Sequence, residues 1–128
     1  MFYSGSRNKE GKRMRVLIAD DETQVRSALR LHLEEGAGVI VVGEADNSND
    51  LLAKVEATRP DLLLLDWELT PSGGRALLRA LRAAWPQLAV WVLSGRPETR
   101  GEALAAGATA FVSKVDSPEH LMAAILKR

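Results

Sequence analysis

The chain contains no cysteine at all. That excludes a disulfide framework, a thiolate metal site and a cysteine nucleophile. It also lacks an excess charge of either sign, with 17 Lys and Arg against 17 Asp and Glu. Nucleic-acid-binding domains usually carry a basic balance or stripe, so direct DNA or RNA binding by this chain is not expected. No apolar run approaches the ~18–20 residues of a membrane span, and the N-terminus has no long apolar segment of the secretory kind. A cytoplasmic protein is the expectation. Aromatic residues are few (5%), and Trp67, Trp85 and Trp91 are too scattered for a base-stacking platform. Neither G-x-G-x-x-G nor G-x-x-x-x-G-K-[ST] occurs, so dinucleotide and P-loop sites lack support. His32 and His120 have no partners at metal-ligand spacing.

What is present is ordinary in bulk and specific in pattern. The 128 residues, 46% of them apolar, suffice for one domain with a full core. Residues 1–13 (MFYSGSRNKEGKR) are polar and basic without periodicity, and read as a disordered tail or an appended extension. Met14 stands directly before the first strand. The most informative stretch is Leu62-Leu63-Leu64-Leu65 running into Asp66. An apolar run between turn signals reads as a strand buried on both faces. Arg59-Pro60 precedes it, and Thr70-Pro71-Ser72-Gly73-Gly74 follows.

Strands and helices alternate along the rest of the chain. Strands are expected at Arg15–Ala19, Val39–Val42, Asp61–Leu65, Leu88–Leu93 and Ala110–Ser113. Helices are expected at Thr23–Glu35, Ser48–Thr58, Gly74–Ala84 and Glu98–Ala106. A last helix opens at Ser117-Pro118-Glu119, with Ser as N-cap and Pro at the first helical position. Gly73-Gly74 reads as loop flexibility. Five βα units with short loops imply a parallel sheet with helices on both faces, with 2-1-3-4-5 the favoured strand order.

In that topology the carboxyl ends of four strands share one rim. Asp20 and Asp21, Asp66, Ser94 and Lys114 fall there, with Trp67 beside Asp66. Singly, each has a plain reading: the acidic pair as helix caps, Asp66 and Ser94 as turn formers, Lys114 as a solvated charge. Together they form a cluster. Three carboxylates in one cleft would be driven toward protonation without a cation among them. A hard divalent ion such as Mg²⁺ suits oxygen ligands, and Lys114 adds a second positive charge. Such a site neutralises phosphoryl oxygens, and a carboxylate beside it can attack phosphorus.

From Met14 to the C-terminus the chain resembles the receiver domain of bacterial two-component response regulators. The matching pieces are VLIADDE at Val16–Glu22, PDLLLLDWEL at Pro60–Leu69, VLSG at Val92–Gly95 and GATAFVSK at Gly107–Lys114. The resemblance implies a single flavodoxin-like receiver fold over 14–128. It implies Asp66 as phospho-acceptor for a sensor histidine kinase. It implies Mg²⁺ held by Asp20, Asp21, Asp66 and the backbone carbonyl of Glu68. Lys114 would contact a phosphoryl oxygen, and Ser94 and Phe111 would be the switch pair. No enzymatic activity is implied beyond the domain's own phosphorylation and dephosphorylation. A homodimer would form through the fourth helix, fifth strand and fifth helix, or through the first and fifth helices. The final segment, KVDSPEHLMAAI, looks like receivers that precede a LuxR-type helix-turn-helix output domain, which would lie outside these residues and control transcription.

The pattern departs from the family at several places. Thr70 stands four residues after Asp66, where proline is usual, and Val115 follows Lys114 where many receivers carry proline. The stretch from Ser94 to Lys114 is shorter than is common, so a shortened fourth helix is expected. Glu68 sits where the family tunes dephosphorylation, and its charge would repel a phosphoryl group. Two rivals remain: a receiver-like module that switches without phosphate, and a Mg²⁺-dependent phosphatase with an aspartyl-phosphate intermediate.

Overall fold

The computed structural model describes residues 11–35, 38–114, 120, 121 and 123. Five parallel strands form one sheet in the order β2-β1-β3-β4-β5. They are β1 (Met14–Ala19), β2 (Val39–Ala45), β3 (Leu62–Asp66), β4 (Ala89–Ser94) and β5 (Ala110–Ser113). Between them run α1 (Thr23–Glu35), α2 (Ser48–Thr58), α3 (Arg75–Ala84) and α4 (Arg100–Ala105). Of the expected last helix, His120, Leu121 and Ala123 are described and helical, while Met122, Ala124, Ile125 and the N-cap Ser117 lie outside the described residues.

The leucine run is explained by strand geometry. Successive side chains of a strand point to opposite faces. Leu63 and Leu65 join Leu17, Val90 and Val92 in a core with α2, α3 and α4. Leu62 and Leu64 join Val16, Ile18 and Leu93 in a second core with Leu29 and Leu33 of α1, and with Leu121. A central strand covered on both sides needs apolar residues at every position, so no alternation survives.

Several boundaries differ from the sequence expectation for identifiable reasons. β2 runs three residues further, through Gly43 and Glu44 to Ala45. These look like turn residues, but a bulge lies there: Val16 pairs Val41 and Leu17 pairs Gly43. A side chain at Gly43 would begin 3.1 Å from Leu17 Cδ1. Glu44 is held by Arg26 and Arg30 at 3.0 and 2.5 Å. Those bonds outweigh its partial burial and keep its carboxyl below the usual range. The fourth helix is split, with Pro97–Thr99 forming a 3₁₀ turn before the six residues of α4.

Arg82 joins three segments at the opposite end of the sheet. Its guanidinium donates to the carbonyls of Gly107 (2.7 Å) and Leu88 (2.5 Å) and to Thr109 Oγ1 (3.1 Å). Thr109 Oγ1 in turn accepts from Val90 N at 3.0 Å. Gly107 has φ +113°, and a Cβ there would meet the Arg82 stem at 3.0 Å.

Gly74 is not a flexibility residue. Its backbone is ordinary right-handed helical (φ −89°, ψ −4°). A Cβ there would lie 2.6 Å from Cε3 of the buried Trp67 ring. Gly74→Ala therefore overpacks a rigid aromatic and is expected to destabilise by about 1–3 kcal/mol. Gly101→Ala, with nothing near its Cβ inside α4, is expected to stabilise by about 0.5–1 kcal/mol. Urea unfolding midpoints of the two variants should move in opposite directions.

Candidate functional site

Asp20 follows the last residue of β1, where its amide donates to Ala45 O at 3.0 Å. Its Oδ1 accepts from Glu22 N at 2.9 Å, which caps the turn into α1. Asp66 is the last residue of β3, paired with Leu93 of β4. Its Oδ1 accepts from Glu68 N at 3.1 Å. Lys114 follows β5, and its amide donates to Ser94 O at 2.8 Å. The sheet register thus aims these side chains at one point. Lys114 Nζ lies 2.6 Å from Asp20 Oδ2 and 3.1 Å from Asp66 Oδ1. Carboxylate oxygens of Asp20, Asp21 and Asp66 lie within 4.8 Å of one another. Asp20 and Asp66 are buried, and Asp21 is exposed at the mouth.

The charges in this cleft do not balance. Burial, reinforced by the Asp20 charge, pushes the Asp66 carboxyl up to about 6 despite its contact with Lys114. Burial works to lower the Lys114 ammonium, but its bond to Asp20 and the Asp66 charge prevail, and the net shift is upward. One ammonium is insufficient for the carboxylates it serves. Three carboxylates converging with an exposed member at the entrance are a hard oxygen donor set, and they fit a divalent cation of the Mg²⁺ type.

Four of the residues expected on the rim are therefore together: Asp20, Asp21, Asp66 and Lys114. Ser94 is fully buried, and its hydroxyl donates to Glu68 Oε2 at 2.8 Å. Phe111 is half-buried on β5, paired with Val92, and packs at the margin of the α2–α3–α4 core. Trp67 does not present its ring on the rim. It is buried beneath Gly74, and its Nε1 donates to Glu102 Oε1 at 3.2 Å. Glu102 also pairs with Arg75 at 2.5 Å, tying the residue after Asp66 to both α3 and α4.

Sequence reasoning missed Thr99. It is buried, with Oγ1 3.2 Å from Ser94 Oγ and 2.7 Å from Arg96 O. A threonine beside Pro97 carries no distinguishing signal in the sequence. Thr70, in place of the usual proline, starts a turn in which Gly73 N donates to Thr70 O at 3.0 Å. Pro71 occupies the second position of that turn, which its fixed φ favours.

A five-stranded 2-1-3-4-5 parallel sheet with an acidic cleft at its strand ends is the architecture of a receiver domain, and the comparisons agree. The chain belongs to the response regulator receiver domain family, which matches residues 16–126. It is 33% identical over 114 residues to the transcriptional activator protein ExaE of Pseudomonas putida, covering 88% of this chain and 53% of that protein. It is 38% identical over 113 residues to a protein-glutamate methylesterase/protein-glutamine glutaminase of Cereibacter sphaeroides, covering 85% and 30%. Among solved structures, the signal receiver domain of the putative response regulator NarL from Mycobacterium tuberculosis superimposes with a TM-score of 0.81 at 29% identity, covering 91% and 95%. A CheY-like receiver domain protein from Methanospirillum hungatei gives 0.78 at 29% identity, covering 91% and 93%. The chain spans about half or less of these curated relatives' length. No helix among the described residues is long and apolar enough to cross a membrane.

The raised Asp66 carboxyl sets a stability test. A buried carboxylate held above its ordinary value of 3.8 costs stability above about pH 6, and that cost disappears as pH falls toward 3.8. Asp66→Asn removes the charge, so in chelator-treated protein it should stabilise by about 1–3 kcal/mol above neutral pH. The difference from wild type should shrink on acidification. Equal unfolding midpoints at pH 7–8 would contradict it.

Proposed function

We propose that this domain accepts a phosphoryl group on Asp66 from the phosphohistidine of a sensor kinase. The observation that carries this reading is the convergence of Asp20, Asp21, Asp66 and Lys114 at the strand ends of a receiver fold. Asp66 Oδ1 is engaged by Lys114 and by Glu68 N. Oδ2 is then the attacking oxygen. As the new O–P bond forms in line, the P–N bond to the imidazole breaks and the kinase histidine leaves. The Lys114 ammonium, already beside Asp66, neutralises a phosphoryl oxygen as charge develops. A Mg²⁺ held by Asp20, Asp21, Asp66 and the Glu68 backbone carbonyl would supply further positive charge against those oxygens.

Phosphorylation then shifts a two-state equilibrium through Ser94 and Phe111 to the surface of α4 and β5 and the helix after β5. That surface, or α1 with the last helix, mediates dimerisation and output, in keeping with relatives that are named as transcriptional regulators. In this reading the domain is cytoplasmic, and catalyses only its own phosphorylation and dephosphorylation. A phosphatase would need a second acid free beside the nucleophile. Asp20 and Asp21 belong to the metal set of this reading, and Glu68, two residues beyond Asp66, has its carboxylate engaged by Ser94.

Incubation with Mg²⁺ and acetyl phosphate should add one phosphoryl mass to the wild-type protein and none to Asp66→Asn. Lys114→Ala should slow labelling on the order of 100-fold. No addition to wild type, or equal addition to Asp66→Asn, refutes the reading.

A further inference from the structure

Ser94 sits fully buried at the end of β4 with its hydroxyl's single proton already committed. That proton goes to Glu68 Oε2 at 2.8 Å, because a carboxylate oxygen only accepts. On its accepting side, Ser94 Oγ receives Arg96 N at 3.0 Å. Thr99 Oγ1 packs 3.2 Å away, and its own proton is drawn to the nearer Arg96 O at 2.7 Å. A residue two positions beyond Asp66 is thus bonded to the hydroxyl that organises the turn into α4.

We propose that Glu68 is a latch: its carboxylate holds Ser94 and the Arg96–Thr99 turn in the unphosphorylated arrangement. This rests on the phospho-acceptor reading of Asp66. A phosphoryl oxygen on Asp66 and the Glu68 carboxylate compete for one Ser94 proton, and the hydroxyl cannot serve both. At 2.8 Å the bond is well formed, and its Ser94 end is fully buried, so the hydroxyl has no water to turn to in place of Glu68. Phosphorylation therefore works against the latch before α4 can respond. The role differs from repulsion of the phosphoryl group by the Glu68 charge, because it depends on where the acceptor oxygen lies and operates without phosphate.

Two variants separate oxygen position from charge. Glu68→Gln keeps an oxygen acceptor at the same reach and loses the charge. Glu68→Asp keeps the charge and withdraws the oxygen by one methylene. The readout is amide hydrogen exchange at Arg96 and Thr99, measured on the full chain without phosphate donor. A latch predicts wild-type protection in Glu68→Gln and roughly tenfold faster Arg96 exchange in Glu68→Asp. Wild-type exchange in Glu68→Asp, or loosening in Glu68→Gln alone, overturns it. After labelling with acetyl phosphate, wild-type Arg96 exchange should rise toward the Glu68→Asp value, and an unchanged rate also overturns the latch. The unlabelled arm needs no phosphoryl transfer. Failure of labelling therefore refutes the acceptor reading, while the variant comparison still tests the bond.

Discussion

Everything at the functional end of this domain depends on one ammonium between two buried carboxylates. Lys114 bridges Asp20 and Asp66, which leave β1 and β3, the two adjacent central strands, while its own backbone is fixed to β4 at Ser94. One residue thereby ties the ends of four strands together: its side chain reaches β1 and β3, its amide reaches β4, and its backbone continues β5. The bridge is electrostatically incomplete. Its charge cannot offset the desolvation of Asp66 and the repulsion from Asp20, so the cleft stays receptive to positive charge and to any group that brings it. A fully compensated ion pair would be a better structural element and a poorer site.

The fold was legible because hydropathy alone determines most of it. The unbroken Leu62–Leu65 run demands two covered faces, and short loops between alternating elements then demand parallel strands. Asp20, Asp21, Asp66 and Lys114 were legible for a related reason: a charged residue directly after an apolar strand has only the rim to occupy. The remaining features were hidden because they are relations between distant residues. Gly43 and Glu44 continue β2 only because a bulge, Leu17 and two arginines of α1 accommodate them. Gly74 is small because Trp67 lies against it, and Trp67 is buried rather than displayed because Glu102 offers its indole nitrogen an acceptor. Thr99 and the Glu68 side chain acquire meaning only through Ser94.

Polar contacts around the site fall into two layers of different character. The first is the carboxylate–ammonium cluster, where the charges are few, close and unbalanced. The second comprises hydrogen bonds that link the Asp66 loop outward: Glu68 with Ser94 and Ser94 with Arg96, and Trp67 with Glu102 and Glu102 with Arg75. Both routes start within two residues of Asp66: one reaches the turn into α4, and the other passes through Glu102 of α4 to Arg75 of α3. Change at Asp66 therefore reaches one helix by two separate physical connections.

Arg82 gives that helix its mechanical setting. The chain leaving α4 is pinned at Gly107 and Thr109 by a guanidinium that also grips the start of β4. The chain entering α4 is pinned at the Ser94–Thr99 turn. A six-residue helix slung between two anchorages behaves as a short beam: with the far support fixed, releasing the near support allows it to pivot but not to slide. The rigid end of the sheet thus sets the geometry of any motion that begins at the other.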